Sequence, residues 1–154
     1  MPSSHPSENL LTFNGVEYPF EHVIHQFLKQ VKKYPHKNAL RYFDHVLTFK
    51  ELDLLADKRA LEFLNKGVTK GDRILLFRDR SLNLIVDLLA ITKSGAAYVP
   101  VTKAFPLNRI QTIIQDADIH FACTDTQHVE WLEQIGIEAF AFSDLKPLQD
   151  IKAP

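Results

Sequence analysis

Short apolar runs alternate with helix-like segments, and this alternation constrains the fold of the chain more than any other feature. After residue 72, four apolar runs follow one another, each separated from the next by a segment with helical spacing. The runs are RILLF, AYVPV, IHFACT and IEAFAF. Strands that alternate with helices form parallel sheets covered on both faces. The sequence therefore predicts an α/β fold with a mostly parallel sheet of about four strands flanked by helices.

The helices are predicted from apolar residues that recur at a spacing of three or four. One of them is apolar nearly all round, between Ser81 and about Lys93, which predicts a central position in the fold. Tyr34 ends the first helix because Pro35 cannot continue it. The predicted helices cover residues 21–34, the segment from Leu52 to a cap at Gly67, and residues 81–93, 106–117 and 126–135.

The segments before the first predicted helix and around the second divide the chain into regions. Residues 1–20 are expected to be a disordered or extended linker, with LLTFNGVEYPF lying along a surface rather than forming a regular element. The runs ALRYF and VLTF flank Asp44 and His45, which suits a tight hairpin turn. Residues 21–142 are expected to form a partial domain, and residues 143–154 a loop or tail.

Composition excludes several classes of function. A net charge of −1 argues against a nucleic-acid partner, because binding phosphates needs a basic surface. The one cysteine, Cys123, excludes an intrachain disulfide and is expected to be a small core residue. The longest apolar stretch, LIVDLLAI, contains Asp87 and is much shorter than the ~20 residues that cross a bilayer. Because the first ten residues lack a secretory pattern, we expect a cytoplasmic protein with no membrane partner.

No residue pattern predicts a catalytic, cofactor-binding or metal site. His22 and His25 share a helix face but lack a third ligand nearby, so a metal pair is disfavoured. Asp79 and Asp87 could form an acid pair, but Asp79 fits better as a helix N-cap beside Ser81. The five glycines form neither GxGxxG nor GxxxxGK[ST], and no GxSxG occurs. The sequence therefore offers no loop that would cradle a nucleotide phosphate.

Two phrases carry a resemblance to a known family. The first is LTFKEL, in which Thr48 followed by Glu51 is also a capping-box pattern. The second is KSGAAYVP, about forty-five residues later. Together they resemble the opening of an adenylation domain, the AMP-forming module that activates amino or carboxylic acids in nonribosomal peptide synthetases. The matching residues are Leu47, Thr48, Phe49, Glu51, Leu52, Lys93, Gly95, Ala97, Tyr98 and Pro100.

The resemblance continues on both sides of these phrases, in the family's order, from about residue 10 to about residue 125. It departs from the family pattern at Thr92, at Ser94, and at Thr102 and Lys103, where the family usually has Asp-Pro. In the family, the phosphate loop, the substrate pocket and the catalytic lysine come after the equivalent of Pro154. The resemblance thus implies ATP and Mg²⁺ for a complete domain and no cofactor for this chain alone.

Three roles follow from the resemblance. The first is a split-enzyme subunit or truncated remnant that packs against the remainder of an adenylation domain. The second is a stand-alone interaction module that binds another synthetase component. The third is a decayed gene product without activity. Because RILLF and LIVDLLAI are apolar on successive residues, we also expect them to leave an exposed apolar patch where a protein partner or a second copy packs.

Overall fold

A computed structural model describes residues 11–13, 16–18 and 23–142 of the chain. These residues form eight strands and five α-helices, with a short 3₁₀ turn at Thr126–His128 before the last helix. The strands are β1 (Leu11–Phe13), β2 (Val16–Tyr18), β3 (Asn38–Tyr42), β4 (His45–Thr48), β5 (Arg73–Phe77), β6 (Ala97–Pro100), β7 (Phe121–Thr124) and β8 (Glu138–Phe140). The helices are α1 (Val23–Lys33), α2 (Phe49–Asn65), α3 (Leu82–Lys93), α4 (Leu107–Asp116) and α5 (Val129–Gln134).

A four-stranded parallel sheet forms the centre of the fold. Its strand order is β6-β5-β7-β8, and every neighbouring pair is parallel. Successive residues of β5 enter different cores. Ile74 and Leu76 pack with α2 and α3, whereas Leu75 and Phe77 pack with α4 and α5. The sheet is thus covered on both faces, which confirms the predicted α/β architecture.

The apolar segments expected to be exposed are buried within the chain. Leu75 in β5, and Val86 and Ile91 in α3, are fully buried. Helix α2 lies against α3, and α1 adds a further layer in which Ile24 packs with residues of both helices. The expectation that RILLF and LIVDLLAI leave an apolar patch is therefore wrong, because the chain's own helices cover them. The large apolar side chains that are exposed lie elsewhere, at Val23, Tyr42, Phe43, Leu54, Leu61, Tyr98 and Leu107.

The β3–β4 hairpin has its turn one residue earlier than predicted. Tyr42 pairs with His45, so the turn residues are Phe43 and Asp44 rather than Asp44 and His45. This register places Leu47 in the core, and a slip by one residue would turn it to the opposite face of the ribbon. Phe43 adopts φ = 53° at the tip, a conformation that glycine favours.

The segment before α1 contains a second ribbon. Leu11 pairs with Tyr18 and Phe13 with Val16, so this part of LLTFNGVEYPF is an antiparallel hairpin rather than the expected irregular extended segment. The sequence signal was the Asn-Gly dipeptide between the two strands, which favours a hairpin turn. The expected disorder of residues 1–10 and the expected tail at 143–154 lie outside the described residues. Within the described part of the chain, no helix has the length and apolar character to cross a membrane.

Candidate functional site

Open parallel α/β sheets bind ligands at the carboxyl ends of their strands, so this edge is the first place to look for a site. Arg78 and Asp79 follow β5, Lys103 lies three residues after β6, and Asp125 follows β7. The strand order places β5 between β6 and β7, which brings these charged side chains to one edge of the sheet.

A buried ion-pair network occupies the inner part of this edge. Asp87, on α3, is completely buried and accepts hydrogen bonds from two arginines. Arg59 Nη1, from α2, lies 2.6 Å from Asp87 Oδ1, and Arg78 Nε, from β5's end, lies 2.5 Å from Oδ2. Arg59 also donates to the backbone oxygen and the side chain of Asn83. The network ties α2 and α3 to the end of β5.

The same arginines reach the chain beyond β8. Arg78 Nη2 donates to the backbone oxygen of Phe142 over 3.0 Å, and Arg78 Nη1 contacts Asp125 Oδ1 at 3.2 Å. The Arg59 guanidinium lies 4.8 Å from the ring centre of Phe142. Both carboxylate oxygens of Asp87 and both guanidinium groups therefore have protein partners. The cluster joins the interiors of α2 and α3 to the chain just after β5, β7 and β8.

Burial dominates the titration of these groups. Desolvation raises the pKa of Asp87 above its ordinary value, against the opposing attraction of Arg59 and Arg78. Desolvation also lowers the pKa of Arg59, against the attraction of Asp87. Cys123, in the neighbouring strand, is fully buried, and burial raises the pKa of its thiol well above 9.0. Cys123 is thus the small core residue that the sequence predicts, with no thiolate available for chemistry.

The outer part of the edge is exposed, and Asp79 there has a different role from the helix N-cap that the sequence predicts. Asp79 does not cap α3, because the Ser81 hydroxyl accepts the Leu84 N–H at 3.2 Å and acts as the N-cap. The Asp79 carboxylate instead contacts Lys103 Nζ at 2.6 Å, while its backbone N–H donates to Asp125. Lys103 is one of the two departures after β6, so this chain has an ion pair where the family usually has Asp-Pro.

Two buried polar atoms lie under this edge. Thr124, fully buried at the end of β7, has a hydroxyl with no hydrogen-bond partner among the described residues. Nε2 of His128 is also buried and has no hydrogen-bond partner among the described residues. The ring centres of His128 and Phe77 are 4.3 Å apart. Burial lowers the pKa of His128, with a smaller contribution from Lys103. A neutral imidazole over an aromatic ring is a packing arrangement and lacks a nucleophile or carboxylate in hydrogen-bond contact.

The residues that carry the family resemblance have structural roles. Thr48 Oγ1 accepts the Glu51 N–H, and the Glu51 carboxylate accepts the Thr48 N–H, which completes the predicted capping box of α2. Leu47 and Leu52 are buried in the core between α1, α2 and α3. The ring centres of Phe49 and Phe27 are 6.3 Å apart. None of these side chains reaches the carboxyl edge of the sheet as a polar group.

The second phrase fixes α3 to α2 and to β6. Lys93 is almost completely buried and pairs with Asp53 and Asp57 of α2. Gly95 has φ = 84°, and its backbone oxygen accepts the Gly71 N–H at 3.0 Å, so it turns the chain from α3 into the sheet. Ala97, Tyr98 and Pro100 lie in β6, with all three residues exposed.

The sequence analysis missed the arginine network. Its signal was a charge in the middle of each of two apolar helix faces, Asp87 in LIVDLLAI and Arg59 beside Ala60 and Phe63. A buried charge needs a partner of opposite sign, so these two residues could have been paired from the pattern alone.

The paired cations at this edge and the described glycines have structural roles. Arg59, Arg78 and Lys103 already pair with carboxylates, and the glycines of the described segments lie in helix caps and turns rather than in a phosphate loop. In the described part of the chain, no three His, Cys, Asp or Glu side chains come together as a metal site. His22 lies outside the described residues, and His25 is buried in α1.

Comparison with known proteins places the chain in a family. The family model described as AMP-binding enzyme matches residues 27–149. Gramicidin S synthase 2 of Brevibacillus brevis is 34% identical in an alignment of 134 residues that covers 80% of this chain and 3% of that protein. Gramicidin S synthase 1 of the same organism is 34% identical over 77% of this chain and 11% of its own length. The chain therefore spans a small part of the relatives it matches.

Solved structures agree with this assignment. The N-terminal subdomain of Klebsiella oxytoca NpsA superposes with a TM-score of 0.64 at 27% identity, over 68% of this chain and 27% of that one. A four-domain nonribosomal peptide synthetase bound to AMP and glycine gives a TM-score of 0.71 at 29% identity, over 85% of this chain and 10% of that one. The sequence match, the parallel sheet and the two family phrases agree: the chain belongs to the AMP-binding enzyme family and corresponds to part of an adenylation domain.

Proposed function

We propose that these 154 residues supply part of the N-terminal subdomain of an acid-activating adenylation domain of the nonribosomal peptide synthetase type. In this proposal the chain forms no adenylate by itself. It acts as a split-enzyme subunit or non-catalytic fragment that packs against the remainder of such a domain. The proposal includes a cytoplasmic location, and ATP with Mg²⁺ as the cofactors of the complete domain.

One observation carries the proposal: Arg59, Arg78 and Lys103, at the carboxyl edge of the sheet, are all engaged by carboxylates. Binding a triphosphate needs backbone N–H groups in a glycine-rich loop, and the described residues contain no such loop. The relatives, by contrast, have most of their length beyond the matched part. This share of length supports the proposal that the residues which bind and activate the substrate lie outside the matched part.

The test is amino-acid-dependent exchange of pyrophosphate into ATP. We expect no exchange above background with the chain alone, for any of the proteinogenic amino acids. We expect exchange to appear when the chain is mixed with a polypeptide that begins at the family's phosphate loop. Exchange by the chain alone would contradict the proposal, and so would the absence of any complex with such a polypeptide.

A second role, as a stand-alone module that binds another synthetase component, is favoured by the β3–β4 hairpin. Phe43 is 78% exposed at the hairpin tip and holds a backbone conformation that is strained for an aromatic residue. Its ring lies edge-to-face with Tyr42, 4.6 Å between centres, so the pair is preorganised for contact. Binding of the chain to a complete adenylation enzyme, lost on Phe43→Ser, would favour this role over the split enzyme.

A further inference from the structure

Charge is distributed unevenly along the chain, although its net charge is only −1. Residues 23–50, which form α1 and the β3–β4 hairpin, contain six lysines and arginines against one acidic residue, Asp44. Residues 110–142, which include most of α4 and all of α5, contain six acidic residues and no lysine or arginine. Because α1 packs on α2 and α3 while α4 and α5 cover the opposite face of the sheet, the two sides of the molecule have opposite charge.

The positive charge is concentrated where α1 ends and α2 begins. The loop after α1 is tied to the start of α2, since the Lys50 N–H donates to the Pro35 oxygen at 2.9 Å and the Phe49 N–H donates to the Lys37 oxygen at 3.0 Å. These bonds bring the exposed basic residues of the helix end, the loop and the next helix start to one place. We call this surface the basic corner, and it consists of Lys32, Lys33, His36, Lys37 and Lys50.

An aromatic ring holds two of these lysines in position. Lys33 Nζ lies 5.2 Å and Lys37 Nζ 4.0 Å from the ring centre of Tyr34, so both ammonium groups make cation–π contacts with one ring. The Tyr34 N–H donates to the Gln30 oxygen at 2.8 Å, which fixes the ring at the end of α1. Lysine side chains that are already held lose less conformational freedom when they bind a partner.

The carboxylates near the basic corner do not neutralise it. Among the described residues, none of the ion pairs includes a member of the corner. The carboxylate of Glu51 caps α2, and those of Asp53 and Asp57 pair with the buried Lys93. The corner therefore presents positive charge to solvent that the neighbouring acidic side chains leave unbalanced.

The rest of the molecule indicates which class of anionic partner fits the corner. The apolar face of α1 packs in the core through Ile24, Phe27 and Leu28, so it is not available to enter a lipid surface. A nucleic acid or a bilayer presents negative charge over a wide area, and the acidic residues of α4, α5 and β8 repel it. A short acidic segment of a polypeptide contacts the corner alone and avoids this repulsion.

We propose that the basic corner is a docking surface for an acidic polypeptide segment, whose Asp or Glu side chains accept hydrogen bonds from the ammonium groups of Lys33, Lys37 and Lys50. This inference goes beyond the proposed function and does not depend on it, because it concerns a surface on the α1 side of the sheet and a partner defined by charge. Each exposed lysine–carboxylate pair strengthens binding only a few-fold, so the segment needs several carboxylates close together.

The test compares two pairs of lysines that carry the same charge. The probe is a fluorescein-labelled peptide of about twelve glutamates, which spans roughly 40 Å when extended. Binding to the whole chain is measured by fluorescence anisotropy. The test variant is Lys33→Gln with Lys37→Gln, and the matched control is Lys66→Gln with Lys70→Gln, two exposed lysines beyond the other end of α2. Both variants have the same net charge, so only the location of the loss differs.

A single substitution provides a second variant that retains the fold. Lys50→Gln removes one corner charge from the first turn of α2, where the helix dipole disfavours a positive charge. We expect the double corner variant to weaken peptide binding by about tenfold, Lys50→Gln by about threefold, and the control by less than about threefold. Binding should weaken as NaCl rises from about 0.05 M to 0.5 M. The largest amide shift changes in NMR spectra should fall on the corner residues.

The outcomes test the surface and the class of partner separately. Equal losses in the corner and control variants, or no saturable binding by the wild type, would overturn the basic corner as a docking surface. Tighter binding to vesicles that contain phosphatidylserine, or to single-stranded DNA, than to the peptide would overturn the acidic polypeptide as the partner. None of these results bears on the proposed function, which the pyrophosphate exchange assay tests.

Discussion

Replacing Asp87 by alanine is the sharpest perturbation of the fold that the structure offers. The carboxylate is completely buried between Arg59 and Arg78, whose side chains are 7% and 3% exposed. After Asp87→Ala, Arg78 keeps its contact with Asp125 and Arg59 keeps only the oxygens of Asn83. One guanidinium therefore stays in the core without a carboxylate.

We expect Asp87→Ala to lower the free energy of unfolding by about 3–5 kcal/mol, the usual cost of removing one partner from a buried ion pair. This is a large fraction of the roughly 5–15 kcal/mol that stabilises a typical domain. Urea unfolding followed by circular dichroism measures it, with Trp131 fluorescence as a second probe. The matched control is Asp79→Ala, whose partner Lys103 is exposed, and which should cost about 0–1 kcal/mol.

A combined variant tests the reason for this cost. The variant carries Arg59→Leu, Arg78→Leu and Asp87→Ala together. If the cost of Asp87→Ala comes from uncompensated charge, this triple variant should recover most of the stability that Asp87→Ala loses, since apolar replacement of a whole buried ion cluster is often neutral. The reasoning is refuted if Asp87→Ala is no more destabilising than Asp79→Ala. It is also refuted if the combined variant is less stable than Asp87→Ala alone.

Three further predictions concern single sites. Thr48→Ala should lower the free energy of unfolding by about 1 kcal/mol through loss of the α2 N-cap, measured in the same urea titration, and Thr48→Ser should restore it. Cys123 should react with iodoacetamide far more slowly in the folded chain than in urea, because burial raises the pKa of its thiol and blocks access; equal rates would contradict its core position. The folded pKa of His128 lies below the 6.5 of the unfolded chain, so the stability linked to its neutral form is present above pH 6.5 and is lost as the pH falls through the folded pKa. His128→Gln should flatten that pH slope, and an unchanged slope would contradict it.

The architecture could be predicted because several independent patterns agreed. The apolar runs set the strands, the Thr48–Glu51 pair set the start of α2, and Gly67, at φ = 98°, set its end. Helix α3 was placed centrally from its apolar residues on all sides, and the structure buries it.

The errors came from interactions that span the fold. The cover over β5 and α3 comes from the packing of α1 and α2 on α3, which local apolarity does not report, so the pattern wrongly suggested an exposed face. The turn at Phe43 depends on the burial of Leu47, which a local turn preference does not report. The ion cluster joins residues 59, 78 and 87, and pairing them needs the packing of α2 on α3.

The central claim, that this chain carries no nucleotide site of its own, is tested most directly by titrating it with ATP and Mg²⁺ in a calorimeter. The account predicts no saturable heat up to millimolar ATP, because Arg59, Arg78 and Lys103 at the sheet edge are paired and the sequence contains no glycine-rich phosphate-loop pattern. Saturable binding at micromolar ATP, with an adenylate formed from any amino acid, would contradict it.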